Sequence, residues 1–178
     1  MAASYCSSCG TPTGSVDTSL SWACSSCSQQ HHQSPIPVAI AVVPILNDGT
    51  FVGIVGVVRK TENSNQILLP DGVLEIGEDA VAAAARTVFE HTGLLIDLDD
   101  TTAVETYSTD DGRHVLLAVE FLPLEWRLFN KAAEEFKSNA FASDVLVVDS
   151  TIPLEYDSHE AIVGKTCAQF FRLRKHKM

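Results

Sequence analysis

Basic residues are scarce in this chain: 12 lysines and arginines stand against 23 aspartates and glutamates, for a formal net charge of −11. A general nucleic-acid binder displaces counterions with a basic face. General nucleic-acid binding is therefore not expected. A phosphate-bearing ligand would have to be met by few local cations, and Arg59, Lys60 and Arg86 are the candidates. Long apolar runs are also missing, since none approaches the roughly 18 residues of a membrane span. The first residues, MAASYCSSCG, have neither the charged leader nor the apolar stretch of a secretory signal. No membrane association is expected, and a reducing, cytoplasmic compartment is. No internal repeat or low-complexity segment stands out.

What remains describes an ordinary folded chain. Its 178 residues allow one domain plus a small appendage. A hydrophobic content of 46% with 20% charged residues is the make-up of a packed core.

Four of the five cysteines fall early, as Cys6-x2-Cys9-x14-Cys24-x2-Cys27. Two C-x2-C knuckles at such a separation read as a structural zinc site, with each knuckle lending two thiolates to one tetrahedral ion. Such a shell is closed and leaves no position for a reacting water. Disulfides or free thiols are the other readings, and disulfides need an oxidising compartment. His31 and His32 follow closely and could substitute as ligands, but four cysteines already suffice. Gly10 after the first knuckle suits a turn with positive φ, and Ser28 holds the equivalent place after the second. About thirty residues bury too little core to fold alone, so the metal would supply folding free energy. Ser34-Pro35-Ile36-Pro37 reads as a stiff linker, which divides the chain into residues 1–35 and 36–178. Cys167 lies in an apolar segment and reads as a small buried hydrophobe.

Residues 69–94, LPDGVLEIGEDAVAAAARTVFEHTGL, carry the chemical signal. Asp79 to about Thr92 reads as a helix: VAAAA is strongly helix-forming, and Gly93 is a C-terminal stop. Val81, Ala84, Ala85 and Val88 recur at helical spacing and are expected to face the core. Thr87, Glu90 and His91 then lie together on another face. Gly72, Glu78, Arg86, Val88, Glu90, Gly93 and Leu94 match the spacing G-x5-E-x7-R-E-U-x-E-E-x-G-U, where U is bulky and apolar. The stretch resembles a Nudix box. Thr87 and His91 stand where that pattern has glutamates, and Asp71 replaces the first glycine of its usual pair.

The resemblance implies a site. In a Nudix enzyme three carboxylates on the helix collect hard divalent cations, which prefer oxygen ligands, neutralise pyrophosphate charge and activate water. Carried over, Glu78, Arg86 and Glu90 are the catalytic candidates, with Arg86 orienting the loop. Glu90, Glu75 and His91 are the candidate ligands of a Mg or Mn site, and Arg59 and Gly72 are the substrate-binding candidates. A histidine nitrogen at 91 suits zinc, nickel or copper better than magnesium. A loop–helix ion pair between Glu78 and Arg86 with a purely structural role is the competing reading. Glu120 and Asp144 are the nearest candidates for a further downstream acid.

The rest of the chain gives strands at Val38–Leu46 (interrupted by Pro44), Phe51–Val58, Leu94–Leu98, Ala103–Tyr107, His114–Leu122 and Val145–Val148. Turns are expected at Asn47-Asp48-Gly49 and Asp110-Asp111-Gly112. Helices are expected over Trp126–Phe136 and from a cap at Asp157 or Ser158 to about Arg172. The basic end, RLRKHKM, reads as a solvated terminus. This order suits an α/β (α+β) fold with a mixed sheet between helices. It is similar to that of the Nudix group whose α-β-α sandwich follows a small four-cysteine zinc ribbon. Ile152-Pro153 and Tyr156-Asp157-Ser158-His159 look like that group's closing segment. Three functions follow as expectations. One is metal-dependent cleavage of a nucleoside diphosphate linked to another moiety, with reduced or altered activity. Another is an inactive module that binds a nucleotide or a protein partner. The third is an adaptor built on the ribbon.

Overall fold

The computed structural model describes residues 4–14, 21–32, 35–109 and 112–175. The chain forms two compact units, Met1–Ile36 and Pro37–Met178.

The first unit is two small hairpins built on the cysteine knuckles. Strands β1 (Ser4–Tyr5) and β2 (Pro12–Gly14) pair antiparallel, as do β3 (Ser21–Ala23) and β4 (Gln30–His32). The two knuckles fold alike. Cys6 donates its N–H to Thr11 O and accepts from Gly10 N, while Cys24 donates to Gln29 O and accepts from Ser28 N. Gly10 (φ 72°) and Ser28 (φ 58°) close these turns in the left-handed region.

Strand β5 (Ile36–Val42) leads into the second unit, followed by β6 (Pro44–Asn47) and β7 (Thr50–Lys60). The expected strand Val38–Leu46 is thus two strands in different sheets. Pro44 has no N–H to continue the ladder, and the chain changes sheet there. Asp48 and Gly49 both have positive φ, as a tight hairpin turn requires. Strands β8 (Asn65–Leu68) and β9 (Asp71–Val73) precede helix α1 (Ala80–Thr92). Leu94–Leu98, expected as a strand, is irregular and ends in a 3-10 turn at Leu98–Asp100, because the Asp97 side chain accepts from Asp99 N and turns the backbone. Then come β10 (Thr101–Ser108), β11 (His114–Phe121), β12 (Leu124–Glu125), α2 (Trp126–Glu135), β13 (Asp144–Val148) and α3 (Asp157–Lys175). Asp110 and Asp111, part of the expected turn before β11, lie outside the described residues, as do His176–Met178 of the basic end.

One sheet runs β10-β11-β5-β9. The other is mixed: β12 runs parallel to β6, while β7 pairs antiparallel with β6, β8 and β13. Alternate residues of β5 face opposite cores. Ala39 and Ala41 pack with α1 and with Phe129 of α2, whereas Ile40 and Val42 pack with Ile162, Val163 and Cys167 of α3. This is the α-β-α sandwich, and Cys167 is buried in it.

Local chemistry sets the helix ends. Asp79 caps α1, its side chain accepting from Ala82 N at 2.8 Å. Gly93 (φ 75°) ends it by donating its N–H to Phe89 O. Helix α3 starts at Asp157 itself, so neither Asp157 nor Ser158 is its cap. Glu160 instead reaches back to accept from Leu154 N at 3.0 Å.

Candidate functional site

The box loop is held against α1 by one arginine. Arg86 donates through Nε and Nη2 to the two oxygens of Glu78, both at 2.8 Å. It also donates to Glu90 Oε2 and to Val73 O, each at 3.0 Å. The planar guanidinium makes the two-pronged contact that a carboxylate accepts best. Hydrogen bonding from Arg86 holds the Glu78 carboxyl down at about 2 against the opposing effect of its partial burial. Glu78 Oε2 further accepts from Glu75 N at 3.0 Å, tightening the loop that carries both acids. Gly72 sits on β9 opposite Ala39, where an added Cβ would meet the Thr87 methyl at 2.4 Å. Only a glycine lets strand and helix approach this closely.

Thr87 and His91 are not on an open face. They are 1% and 2% exposed, so α1 is buried on this side as well. Thr87 donates its hydroxyl to Ala84 O at 2.9 Å. The His91 ring stacks on Phe141 with centroids 5.2 Å apart, and its Nδ1 is buried without a hydrogen-bond partner. Burial is the main cause that lowers its pKa to about 4, with the Asp71 carboxylate opposing and the Arg59 and Arg86 cations assisting. His91 is therefore a neutral imidazole at pH 7. Arg59 is paired with Asp71 at 2.9 Å. Asp71, the departure from the family's glycine pair, thus engages the cation nominated for the substrate.

Three further residues frame the box, and sequence spacing did not mark them for this role. Asn139 donates through Nδ2 to Glu90 O at 2.8 Å and accepts on Oδ1 from Phe141 N and Ala142 N, fixing the loop that lays Phe141 on His91. Buried His159 on α3 accepts on Nδ1 from Leu69 N at 3.1 Å, tying α3 to the box lead-in. Burial likewise lowers its pKa to about 4. Asn139 and Phe141 come from a loop with no periodic signature, and the contact of His159 with Leu69 spans 90 residues.

The donors available for a hard divalent ion are therefore few. Glu90 is the one carboxylate at the three helix positions, and it is paired with Arg86, as is Glu78. Glu75 and Glu78 lie upstream, but these acids and His91 do not gather their ligand atoms into one cluster. Among the described residues the four cysteines alone form a set of three or more His, Cys, Asp or Glu whose ligand atoms all lie within 4.8 Å of one another. Glu90, Glu75 and His91 do not bring their ligand atoms within 4.8 Å of one another in this structure. Burial of His91 and the attraction of both box acids to Arg86 account for this. Glu120 is half-buried, and burial raises its pKa, with Glu105 adding to the effect. Its own surroundings are Glu105, Tyr107 and Lys165 rather than the box acids.

The cysteine cluster does fit a metal ion. The Cys6–Cys27 and Cys9–Cys24 sulfur pairs are each 3.7 Å apart. Four thiolates at about 2.3 Å from a tetrahedral zinc stand about 3.8 Å from one another.

The comparisons agree with this architecture. The NUDIX domain profile matches residues 35–143, more than half of the chain, so the chain belongs to the NUDIX domain family. A MutT-like protein of Streptomyces ambofaciens is 35% identical over 72 residues, a match that spans 40% of this chain and 44% of that protein. A NUDIX hydrolase from Nitrosomonas europaea superposes with a TM-score of 0.65 at 18% identity, covering 93% of this chain and 90% of its own. The NUDIX domain of Shewanella oneidensis NrtR, complexed with ADP ribose, gives 0.55 at 14% identity over 76% of this chain and 88% of its own. A C. elegans Ap4A hydrolase gives 0.53 at 13% identity over 75% of this chain and 96% of its own. At these identities the solved structures show the fold. Among the described residues no helix is long and apolar enough to cross a membrane.

Proposed function

We propose that the unit from Pro37 onward acts on a nucleoside diphosphate linked to another moiety, and that cleavage of its pyrophosphate bond is reduced or altered. Family membership supports the substrate class, as do the ADP ribose and Ap4A named for two structural neighbours. The observation that carries the attenuation is the fate of the three helix positions: Thr87 and His91 are buried and uncharged, and Glu90 is held by Arg86. Residual turnover would rest on Glu90, with Glu78 and Glu75 assisting, in Mg2+ or Mn2+. Arg86 keeps the loop in place, Gly72 allows the backbone of β9 to lie close to the helix, and Arg59, paired with Asp71, is the cation nominated for a phosphate. A second reading, nucleotide binding without turnover, is favoured by the pairing of both box acids with Arg86.

The test incubates the pure protein with a panel of nucleoside-diphosphate compounds in Mg2+, Mn2+ or Zn2+. Slow turnover that Glu90→Gln abolishes supports attenuated hydrolysis. No turnover in any metal, with nucleotide binding retained by calorimetry, supports the binding module. Neither turnover nor binding would sink both readings.

For the first unit we propose a structural zinc ion on Cys6, Cys9, Cys24 and Cys27. The ion supplies no chemistry there beyond cross-linking the two knuckles, because four thiolates close its shell.

A further inference from the structure

The cysteine sulfurs have polar neighbours of their own. Thr11 Oγ1 lies 3.3 Å from Cys9 Sγ. The buried sulfur of Cys6 faces a histidine: His31 Nε2 is 3.2 Å away, and the other ring nitrogen, Nδ1, is 3.4 Å from Ser7 Oγ. His31 stands on β4, paired in register with Trp22, and so belongs to the second hairpin, whereas Cys6 and Ser7 belong to the first knuckle. The imidazole therefore bridges the two halves of the ribbon.

Charge explains why such a bridge matters. A divalent ion with four thiolates carries net negative charge, and a sulfur buried as deeply as Cys6 has little water to disperse it. An N–H aimed at that sulfur lowers its charge density and its tendency to protonate or be attacked. The partner on the other ring nitrogen sets the tautomer. A fifth ligand is not needed, and His31 is outside the mutually close set formed by the four sulfurs.

We propose that His31 is a positioning residue of the metal site, an inference that rests on the zinc reading above. In its Nε2–H tautomer it donates to the Cys6 thiolate, while the Ser7 hydroxyl donates to Nδ1. The bridge fixes one knuckle against the other and shields the Cys6 sulfur.

The full-length protein tests this in two ways. Zinc content is measured first, and then the rate of zinc transfer to excess chelator is compared among variants. His31→Phe is expected to release zinc about tenfold faster or more, in keeping with the usual effect of removing a partner behind a ligand. His31→Gln, which keeps an N–H donor, is expected to release it more slowly than His31→Phe. Separately, long-range nitrogen–proton NMR of the zinc-loaded wild type should show the His31 ring protonated on Nε2 and not on Nδ1. No zinc in the wild type would overturn the zinc reading itself. Zinc present with equal release from wild type and His31→Phe would overturn the role of His31 alone. A ring with unprotonated Nε2 would do the same, even if His31→Phe did not fold.

Discussion

Gly72 and Thr87 make a contact whose energetics can be worked out from both sides. A Cβ on residue 72 would sit 2.4 Å from Thr87 Cγ2, well inside the roughly 3.5–4.0 Å at which carbon atoms attract. Neither side yields easily. Thr87 is 1% exposed, its β-branched side chain has few rotamers, and its hydroxyl is tied to Ala84 O. Strand β9 is held to β5 by its ladder and to Arg86 through Val73 O. Gly72→Ala should therefore cost about 1–3 kcal/mol, the usual range for overpacking. Thr87→Ser removes the obstructing methyl and alone should cost about 1 kcal/mol, as for other single buried methyl groups. In the double variant the new methyl occupies the space the old one left. The two costs should then fail to add, with a coupling of about 1–2 kcal/mol in favour of the pair. The assay is equilibrium urea unfolding followed by helical circular dichroism, because all helices among the described residues lie in this unit. Additivity within about 0.5 kcal/mol would refute the proposed contact.

Other outcomes follow from the same geometry. His91→Leu should raise stability by about 1 kcal/mol, since it removes a buried ring nitrogen that has no partner; the unfolding midpoint reads this. Acid should destabilise the second unit. His91 and His159 have folded pKa values of about 4, below the ordinary value of about 6.5, because burial penalises their charged forms, so no stability is lost above about 6.5 and stability falls as pH drops toward 4. Each lowered pKa corresponds to about 3 kcal/mol at most, and stability measured from pH 7 to 4 in wild type and His159→Gln checks the slope. Chelation of the reduced protein should collapse the amide signals of residues 4–14 and 21–32 in NMR spectra while those of β5–β13 and α1–α3 stay dispersed.

Much of this fold is written locally. The alanine run, Asp79 and Gly93 mark α1 at both ends because capping is a matter of neighbouring residues. The Asn47-Asp48-Gly49 turn and the knuckle glycine are legible for the same reason. The box framework is legible as spacing: Gly72, Glu78 and Arg86 are placed by loop length and helical period. What spacing leaves out is burial by distant segments. Helical periodicity puts Thr87 and His91 beside Glu90, yet the loop at 139–141 covers His91, and β9 covers Thr87. Strands β8 and β9 carry no local signal, since each is short and lacks alternation, and pairing with β7 and β5 makes them strands. The function of His159 depends on Leu69, 90 residues away, which no local pattern encodes.

The two substitutions in the box have a common physical sense. A glutamate at 87 or 91 would bring a carboxylate into a nearly closed space, where an unpaired charge is costly unless a cation accompanies it. A chain already carrying −11 gains nothing from further uncompensated acids there. Threonine and histidine remove the charge, and the helix can bury that face without metal. On this argument the wild-type fold should keep its stability in chelator, and millimolar Mg2+ should move its unfolding midpoint little, since Glu90 is the one carboxylate at the three helix positions. The Thr87→Glu/His91→Glu variant should reverse both properties. It should be less stable in chelator and recover stability with Mg2+ as RT ln(1 + [Mg2+]/Kd), about 2.7 kcal/mol when the ion is at a hundred times its Kd. The same Mg2+ titration of the double variant with Glu90→Gln added should lose that recovery. A wild type that Mg2+ stabilises as strongly as the variant would contradict the idea that burial replaced the ion on this helix.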